Sequence, residues 1–216
     1  MDFRLALLGA AAAFPAACAT SPGRERASVE VALDPVEEWR SVATTADAAA
    51  LDSLRPRWEA ALTAARTKGF SRRIATAGEL LDPGAALPRP APGPGAYRCT
   101  LYRLGPAERR APAFSASREA YCFVGVGTEE DRLSLTTELP GRRVGGHLWE
   151  QAAGRALVFL GAEIGKGLKV APRYGDPGSI GAAGLVERVG DLSYRLVLPE
   201  PGGGVHIIAM TAAPPP

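Results

Sequence analysis

The first half of the chain carries a hydrophobic pattern of helical period. Thr44 and Asp47 precede this pattern at capping-box spacing, and Gly69 follows it as a stop signal. Pro56 interrupts it, so that either a second helix begins there or one long helix is kinked. The pattern predicts a helical region over residues 34–81. The apolar residues recur at spacings of three and four along one helical face: Leu51, Leu54, Trp58, Leu62 and Ala65.

The second half changes to the two-residue period of β-strands. Residues 82–96 separate the halves, and their Pro, Gly and Ala content predicts an extended connector. The Ala156–Leu160 run is continuously apolar and predicts a central strand, and Gly190-Asp191 is a hairpin signal between two strands. The predicted strands lie at 97–101, 121–126, 133–136, 142–149, 156–160, 185–189, 192–198 and 205–210.

These two patterns together predict an α+β fold. We expect an N-terminal helical segment packed on a C-terminal antiparallel β-barrel or β-sandwich of about seven or eight strands. The β domain is expected over residues 97–211, and residues 212–216 are expected to be a disordered tail.

The start of the chain has the features of a secretory signal. Leu5–Ala13 is apolar but too short to cross a bilayer, and small residues follow it. Residues 1–19 are therefore expected to be a signal segment, and residues 20–33 a polar tether. Two processing routes remain open, because Ala17-Cys18-Ala19 fits ordinary cleavage whereas Ala16-Ala17-Cys18 is similar to a lipobox in which Cys18 is lipidated. The expected location is the periplasm, or attachment to the outer membrane.

The chain has three cysteines, and an odd free thiol is unusual in an exported protein. If Cys18 is lipidated or removed with the signal, Cys99 and Cys122 remain as a pair. Both stand in predicted strands, where neighbouring strands bring Cα atoms within disulfide range. We expect a Cys99–Cys122 disulfide, and we expect no metal role because the two residues are not closely spaced.

The composition argues against one class of function and supports a folded domain. The chain has 25 basic and 23 acidic residues and a net charge of +2, which argues against a dedicated nucleic-acid binder. A hydrophobic fraction of 46% is enough for a buried core.

Motifs of catalysis are absent from the sequence, which contains no HExxH, GxSxG, P-loop or CxxC pattern. The histidines His147 and His206 both fall in predicted strands, where a structural role is the simpler interpretation. The Gly202–Gly204 stretch precedes a strand rather than a helix, so it predicts a loop and not a phosphate cradle. We expect no catalytic residues, no metal site and no cofactor.

Four residues are candidates for a binding site. Glu187 is predicted to lie on the apolar side of its strand and to pair with an arginine such as Arg195, as a structural ion pair or as a polar group in a barrel mouth. Trp149 and Tyr174 are aromatic candidates for the same mouth or for ordinary core. A small basic loop is a further candidate for an anion, either a lipid headgroup or a polysaccharide; its cations are Lys166, Lys169 and Arg173.

Four segments resemble one bacterial family in their order and spacing. They are Asp34–Leu62, Asp82–Cys99, Arg155–Gly161 and Gly184–Pro199. Together they are similar to the domain of unknown function family 4893, exported proteins of sphingomonad-type alphaproteobacteria. The resemblance covers residues 34 to about 211 and implies no activity, so no functional residues follow from it.

The sequence favours a non-enzymatic envelope protein that binds a small molecule, a lipid or a protein partner, without nucleic acid. Its only expected link to a membrane is the lipid anchor. The alternative is a periplasmic hydrolase or hydrolase inhibitor with a histidine in a cleft. A hydrolase would require His147 or His206 to meet a carboxylate and a hydroxyl within hydrogen-bonding distance.

Overall fold

The computed structural model describes residues 38–105, 112–127 and 132–214. The expected signal segment, the tether and Cys18 lie outside these residues. Within them, no helix has both the length and the apolar character needed to cross a bilayer.

The helical region forms four helices, α1 (Trp39–Val42), α2 (Thr45–Asp52), α3 (Leu54–Ala65) and α4 (Ser71–Ala77), with a final 3-10 turn at Gly78–Leu81. Thr44 caps α2, since the amide of Asp47 donates to the Thr44 hydroxyl at 3.1 Å. Pro56 lies in the first turn of α3, where its missing N–H leaves no hydrogen bond unmade. Gly69 has a φ of 88° between α3 and α4, a conformation that favours glycine. All five residues of the apolar stripe are buried.

Nine strands follow in the described residues, and each pairs with an antiparallel neighbour. Eight strands, β1 and β3–β9, close into a barrel because β1 also pairs with β9, from Tyr97 opposite Ala212 to Leu104 opposite Val205. The remaining strand, β2, pairs with the end of β1 only. The expected α+β class is confirmed, and of the two alternatives the β domain is a barrel. The strands are β1 (Gly95–Leu104), β2 (Phe114–Ala116), β3 (Ala120–Val126), β4 (Leu133–Thr137), β5 (Val144–Trp149), β6 (Ala156–Glu163), β7 (Gly181–Arg188), β8 (Ser193–Pro199) and β9 (Val205–Ala212).

Side chains fill the barrel interior. Alternate residues of each strand point inward, among them Leu101, Leu135, Phe159 and Leu196, as expected for eight strands. The Cys99–Cys122 disulfide lies in this interior and joins β1 to β3, with Cα atoms 6.0 Å apart. The interior is therefore a packed core, and a small ligand held inside the barrel is not supported.

The helices pack on one part of the outer wall. Trp58 and Leu62 of α3 belong to a buried cluster with residues of β1, β6, β7, β8 and β9. We call the outer faces of these five strands the covered side. The outer faces of β3, β4 and β5 form the open side, where Tyr121 and Phe123 remain 55% and 45% exposed.

Candidate functional site

A groove with a volume of about 490 Å³ lies on the open side. Its floor consists of outward residues of β4 and β5, and its walls come from Val42 at the end of α1 and from residues 169–174 of the long β6–β7 connection. We call residues 164–180 the 164–180 loop. The volume is within the range of small-molecule sites.

The strand register determines the floor of the groove. Ser134 on β4 stands opposite His147 on β5, and Thr136 stands opposite Gly145. A Cβ atom at Gly145 would lie only 2.7 Å from the Cβ atom of Ala171. The absence of a side chain at Gly145 therefore lets the 164–180 loop rest on β5 and form the wall of the groove.

Tyr174 fastens the loop to the helical region. Its hydroxyl donates a hydrogen bond to the Asp47 carboxylate and accepts one from the Thr44 amide at 3.0 Å. Burial raises the pKa of Tyr174, and the hydrogen bond to Asp47 raises it further. The tyrosine therefore remains a neutral donor, and the capped start of α2 holds one end of the groove.

Trp149 supplies an aromatic surface to the groove. The guanidinium carbon of Arg132 lies 3.7 Å from the centroid of the Trp149 ring, a cation–π contact. Arg132 also forms an ion pair with Glu38 at 2.8 Å. The two contacts hold the guanidinium over the indole ring at the rim of the groove.

The described lining of the groove is cationic. Its charged members are Arg132, Lys169 and Arg173, and none of its described members is an aspartate or a glutamate. The hydroxyls of Ser134 and Thr136 add uncharged hydrogen-bonding groups to the floor. An anionic group is therefore the complementary ligand for this surface.

Two of the four candidate binding residues, Trp149 and Tyr174, lie in this groove. They line it from outside the barrel and not at a barrel mouth. Lys169 and Arg173 of the basic loop join them, whereas Lys166 lies outside the lining.

Glu187 and Arg195 lie elsewhere, on the covered side beneath the helices. Arg195 Nε donates to Glu187 Oε2 at 2.8 Å, and Arg195 Nη1 donates to the carbonyls of Glu79 and Asp82, both at 2.7 Å. The Arg195 guanidinium also stacks 4.4 Å from the Trp58 ring. Burial lowers the pKa of Arg195, and the nearby Glu187 charge opposes this shift. Of the two interpretations, the structural ion pair fits these contacts, because Arg195 is fully buried and bonded to the end of the helical region.

A third charged cluster, at one end of the barrel, was not identified from the sequence. Glu200 Oε1 lies 2.9 Å from Arg142 Nη1 and 3.2 Å from His206 Nδ1. Arg142 Nη1 also lies 3.1 Å from Glu163 Oε1. Burial alone would raise the pKa of Glu200, but the hydrogen bond with His206 and the electrostatic effect of His206, Arg142 and Arg103 outweigh it, and the pKa is lowered. Arg103 stands opposite His206, two residues beyond the inward-facing pair Leu101 and Ile208, and this alternation is the sequence signal that could have revealed the cluster.

The two histidines have different surroundings. His147 lies in the groove with two hydroxyl residues, and His206 contacts the Glu200 carboxylate at the barrel end. A histidine bonded to both a carboxylate and a hydroxyl, as the hydrolase alternative requires, is not found in residues 38–105, 112–127 and 132–214. The same ranges contain no group of three His, Cys, Asp or Glu side chains placed to hold a metal ion.

Comparison with known proteins gives one family match. The family described as Domain of unknown function (DUF4893) matches residues 39–207. No curated protein and no solved structure matches the chain. Because the match covers well over half of the sequence and includes every strand from β1 to β8, the chain belongs to the domain of unknown function family DUF4893.

Proposed function

We propose that this protein is a non-catalytic binding protein that holds a small anionic molecule with a ring or other apolar part in the groove. The observation that carries the proposal is the combination of cationic side chains with the Trp149 ring in one concave surface. Lys169 and His147 supply the groups for the anion, and Trp149 supplies the surface for the apolar part.

Two features of Lys169 support its role. It lies in the groove wall next to the exposed Val170, and it takes part in no ion pair within the described part of the chain. An ammonium group without a protein carboxylate can bind a ligand anion without first breaking an ion pair. Arg132 has a different role, because its contact with Glu38 and Trp149 holds the aromatic wall in place.

The proposed setting is the cell envelope. The apolar segment Leu5–Ala13 supports export. The interior Cys99–Cys122 disulfide supports it independently, since disulfides persist mainly in oxidising compartments. A partner of the protein would therefore be met outside the cytoplasm.

The test is titration with 8-anilinonaphthalene-1-sulfonate, an anionic aromatic dye that brightens in an apolar site. We expect saturable binding that the Lys169→Ala variant weakens about tenfold, as for the loss of one charged hydrogen bond. Trp149→Leu is expected to weaken it by a similar factor. Lys166→Ala is the matched control, because it removes the same charge from the same loop but outside the groove.

Equal dye affinity in Lys169→Ala, Trp149→Leu and the unmodified protein would contradict the proposal. Ser134→Tyr extends the test, because a ring at this floor position fills the groove and should abolish dye binding with the fold intact. Circular dichroism on each variant checks the fold.

A further inference from the structure

The 164–180 loop exposes apolar side chains to solvent. Val170 is 78% exposed and Leu168 is 48% exposed, although both belong to a loop that packs on the barrel. On β3, which is separated from β5 by β4, the rings of Tyr121 and Phe123 stack with centroids 6.5 Å apart and are also largely exposed. Exposed apolar groups of this kind mark contact surfaces when they form a continuous patch.

The two sets of apolar residues are neighbours. Phe123 stands directly opposite Thr136 in the β3–β4 register. Thr136 and Ala171 both come within 3.3 Å of the Cβ position that Gly145 leaves empty. One threonine therefore separates the β3 rings from the loop, and we call Tyr121, Phe123, Leu168 and Val170 the apolar patch.

The loop is held in the conformation that exposes this patch. Tyr174 bonds it to α2, and the guanidinium of Arg143 donates to the Leu168 carbonyl at 3.2 Å. Within the loop, the amide of Leu168 donates to the Gly165 carbonyl at 3.1 Å. These hydrogen bonds therefore hold the loop in a conformation in which Leu168 and Val170 are exposed.

The loop part of the patch carries positive charge, whereas the exposed Glu138 lies beside Tyr121 at the end of β4. Lys166 and Lys169 alternate with Leu168 and Val170, and all four side chains are exposed. Residues 164–175 contain three basic residues and no aspartate or glutamate. Lysines that alternate with exposed aliphatic groups complement a surface with anionic groups outside and hydrocarbon below.

From this placement we propose that the apolar patch and its two lysines dock the protein on the surface of a bilayer that contains anionic phospholipid. Leu168 and Val170 enter the boundary between headgroups and acyl chains, and Lys166 and Lys169 contact the phosphates. Lys169 and Val170 also line the groove, so the two proposals share these residues, but docking requires no ligand in the groove and no lipid on Cys18. A surface that binds a protein instead of a bilayer is the alternative that the test can reveal.

The test uses the full chain with Cys18→Ser, so that no lipid can be attached, and measures co-sedimentation with vesicles. Vesicles with equal parts of phosphatidylglycerol and phosphatidylcholine should bind the protein, and pure phosphatidylcholine should bind it much less. Lys166→Gln with Lys169→Gln should weaken binding about 30-fold, from about fivefold for each lysine near an anionic surface. Leu168→Ser with Val170→Ser should weaken it at least fivefold.

The matched control is Lys68→Gln with Arg72→Gln, which removes the same charge from exposed positions in the helical region. It should leave vesicle binding within twofold of the parent chain. The control variant and the loop variant carry the same N-terminal segment. Any contribution of that segment to vesicle binding therefore cancels when the two variants are compared. If the control weakens binding as much as the loop variant does, the lipid surface lies on the helical region and the proposal fails.

A second measurement reports insertion. Val170→Trp should show a blue-shifted emission and quenching by brominated lipid on phosphatidylglycerol vesicles. A folded variant without shift or quenching would overturn the docking, as would equal binding to both vesicle types. Absence of binding to either vesicle would also overturn it and leave this surface for an acidic protein partner. Lys166→Gln alone separates the two proposals, because it should weaken vesicle binding about fivefold and leave dye binding in the groove unchanged.

Discussion

The two sides of the barrel wall differ in what happens to their outward residues. On the covered side, α3 and the turn at Gly78–Leu81 bury the wall, and even the charged pair Glu187 and Arg195 is enclosed. On the open side, the outward residues form a cationic groove and leave the rings of Tyr121 and Phe123 in solvent. The inward residues of both sides form one packed core.

This difference indicates that residues of the covered side serve stability and that residues of the open side can serve binding. Beneath the helices, Arg195 is bonded to Glu187 and to backbone carbonyls, and the apolar side chains contact one another. On the open side, Lys169, the hydroxyls of Ser134 and Thr136 and the Trp149 ring line a groove that is open to a ligand. Substitutions on the covered side should therefore change the free energy of unfolding, and those on the open side should change binding.

The largest effect is expected for Arg195→Ala. The variant leaves the Glu187 carboxylate buried, with Arg55 at 3.8 Å as an ion pair that is itself half exposed. Breaking a buried pair costs about 3–5 kcal/mol, and urea unfolding would measure the loss. Replacing Arg195 and Glu187 together by methionine should recover a large part of it. If the double variant is as unstable as the single one, the charge left behind is not the cause.

The disulfide links the two sides, because β1 belongs to the covered side and β3 to the open side. The loop between Cys99 and Cys122 spans 23 residues in sequence. In the chain-entropy model its removal costs about 3 kcal/mol. We expect Cys99→Ala with Cys122→Ala to lower the free energy of unfolding by this amount in a single transition. Two separate transitions would show instead that the sides unfold independently.

Tyr174→Phe should have a smaller effect that is local to the groove. The change removes the hydroxyl that joins the loop to Asp47 and Thr44, and one such hydrogen bond contributes about 1 kcal/mol. Hydrogen exchange should become faster in the 164–180 loop and stay unchanged in β7, β8 and β9. Equal acceleration in those strands would mean that the loop is not a separate unit of stability.

The helical region and the fold class were predictable from the chain because their signals are periodic and local. The stripe from Leu51 to Ala65 has one apolar face, and each of its residues is buried. The continuously apolar Ala156–Leu160 run predicted a central strand. In the structure β6 has the interior on one face and the helices on the other.

Alternation alone could not show where the charged candidates lie. Glu187 was predicted on the apolar side of its strand, but both sides of β7 are buried, so a barrel mouth and the helix-covered wall give the same pattern. The groove could not be predicted from the sequence for a related reason. It depends on Ala171 resting on Gly145 and on Tyr174 reaching Asp47, contacts between residues far apart in sequence. The sequence indicated Trp149 and Tyr174 as candidates because they are aromatic, but it did not show that they lie in one site.

The charged cluster at the barrel end is expected to make the free energy of unfolding modestly dependent on pH. The folded pKa of Glu200 lies below its ordinary value of 4.5, so the ionised carboxylate stabilises the folded state above that pH. This contribution is lost as the pH falls through the folded pKa. Glu200→Gln should therefore be less stable than the parent at neutral pH, with a difference that shrinks below pH 4.5. Urea midpoints across this range measure it. A difference that is constant with pH would assign the effect to shape and not to charge.

The smallest effect on stability is expected for Phe123→Ala on the open side. The ring is nearly half exposed, and its neighbour in the stack, Tyr121, is exposed as well. A surface substitution of this kind should change the free energy of unfolding by less than about 0.5 kcal/mol. Phe114→Ala is the matched control, since Phe114 is buried between Phe70 and Tyr102 and its loss should cost about 3 kcal/mol. If urea unfolding gives similar values for the two phenylalanines, Phe123 contributes to the core, and the contrast between a structural side and a binding side is wrong.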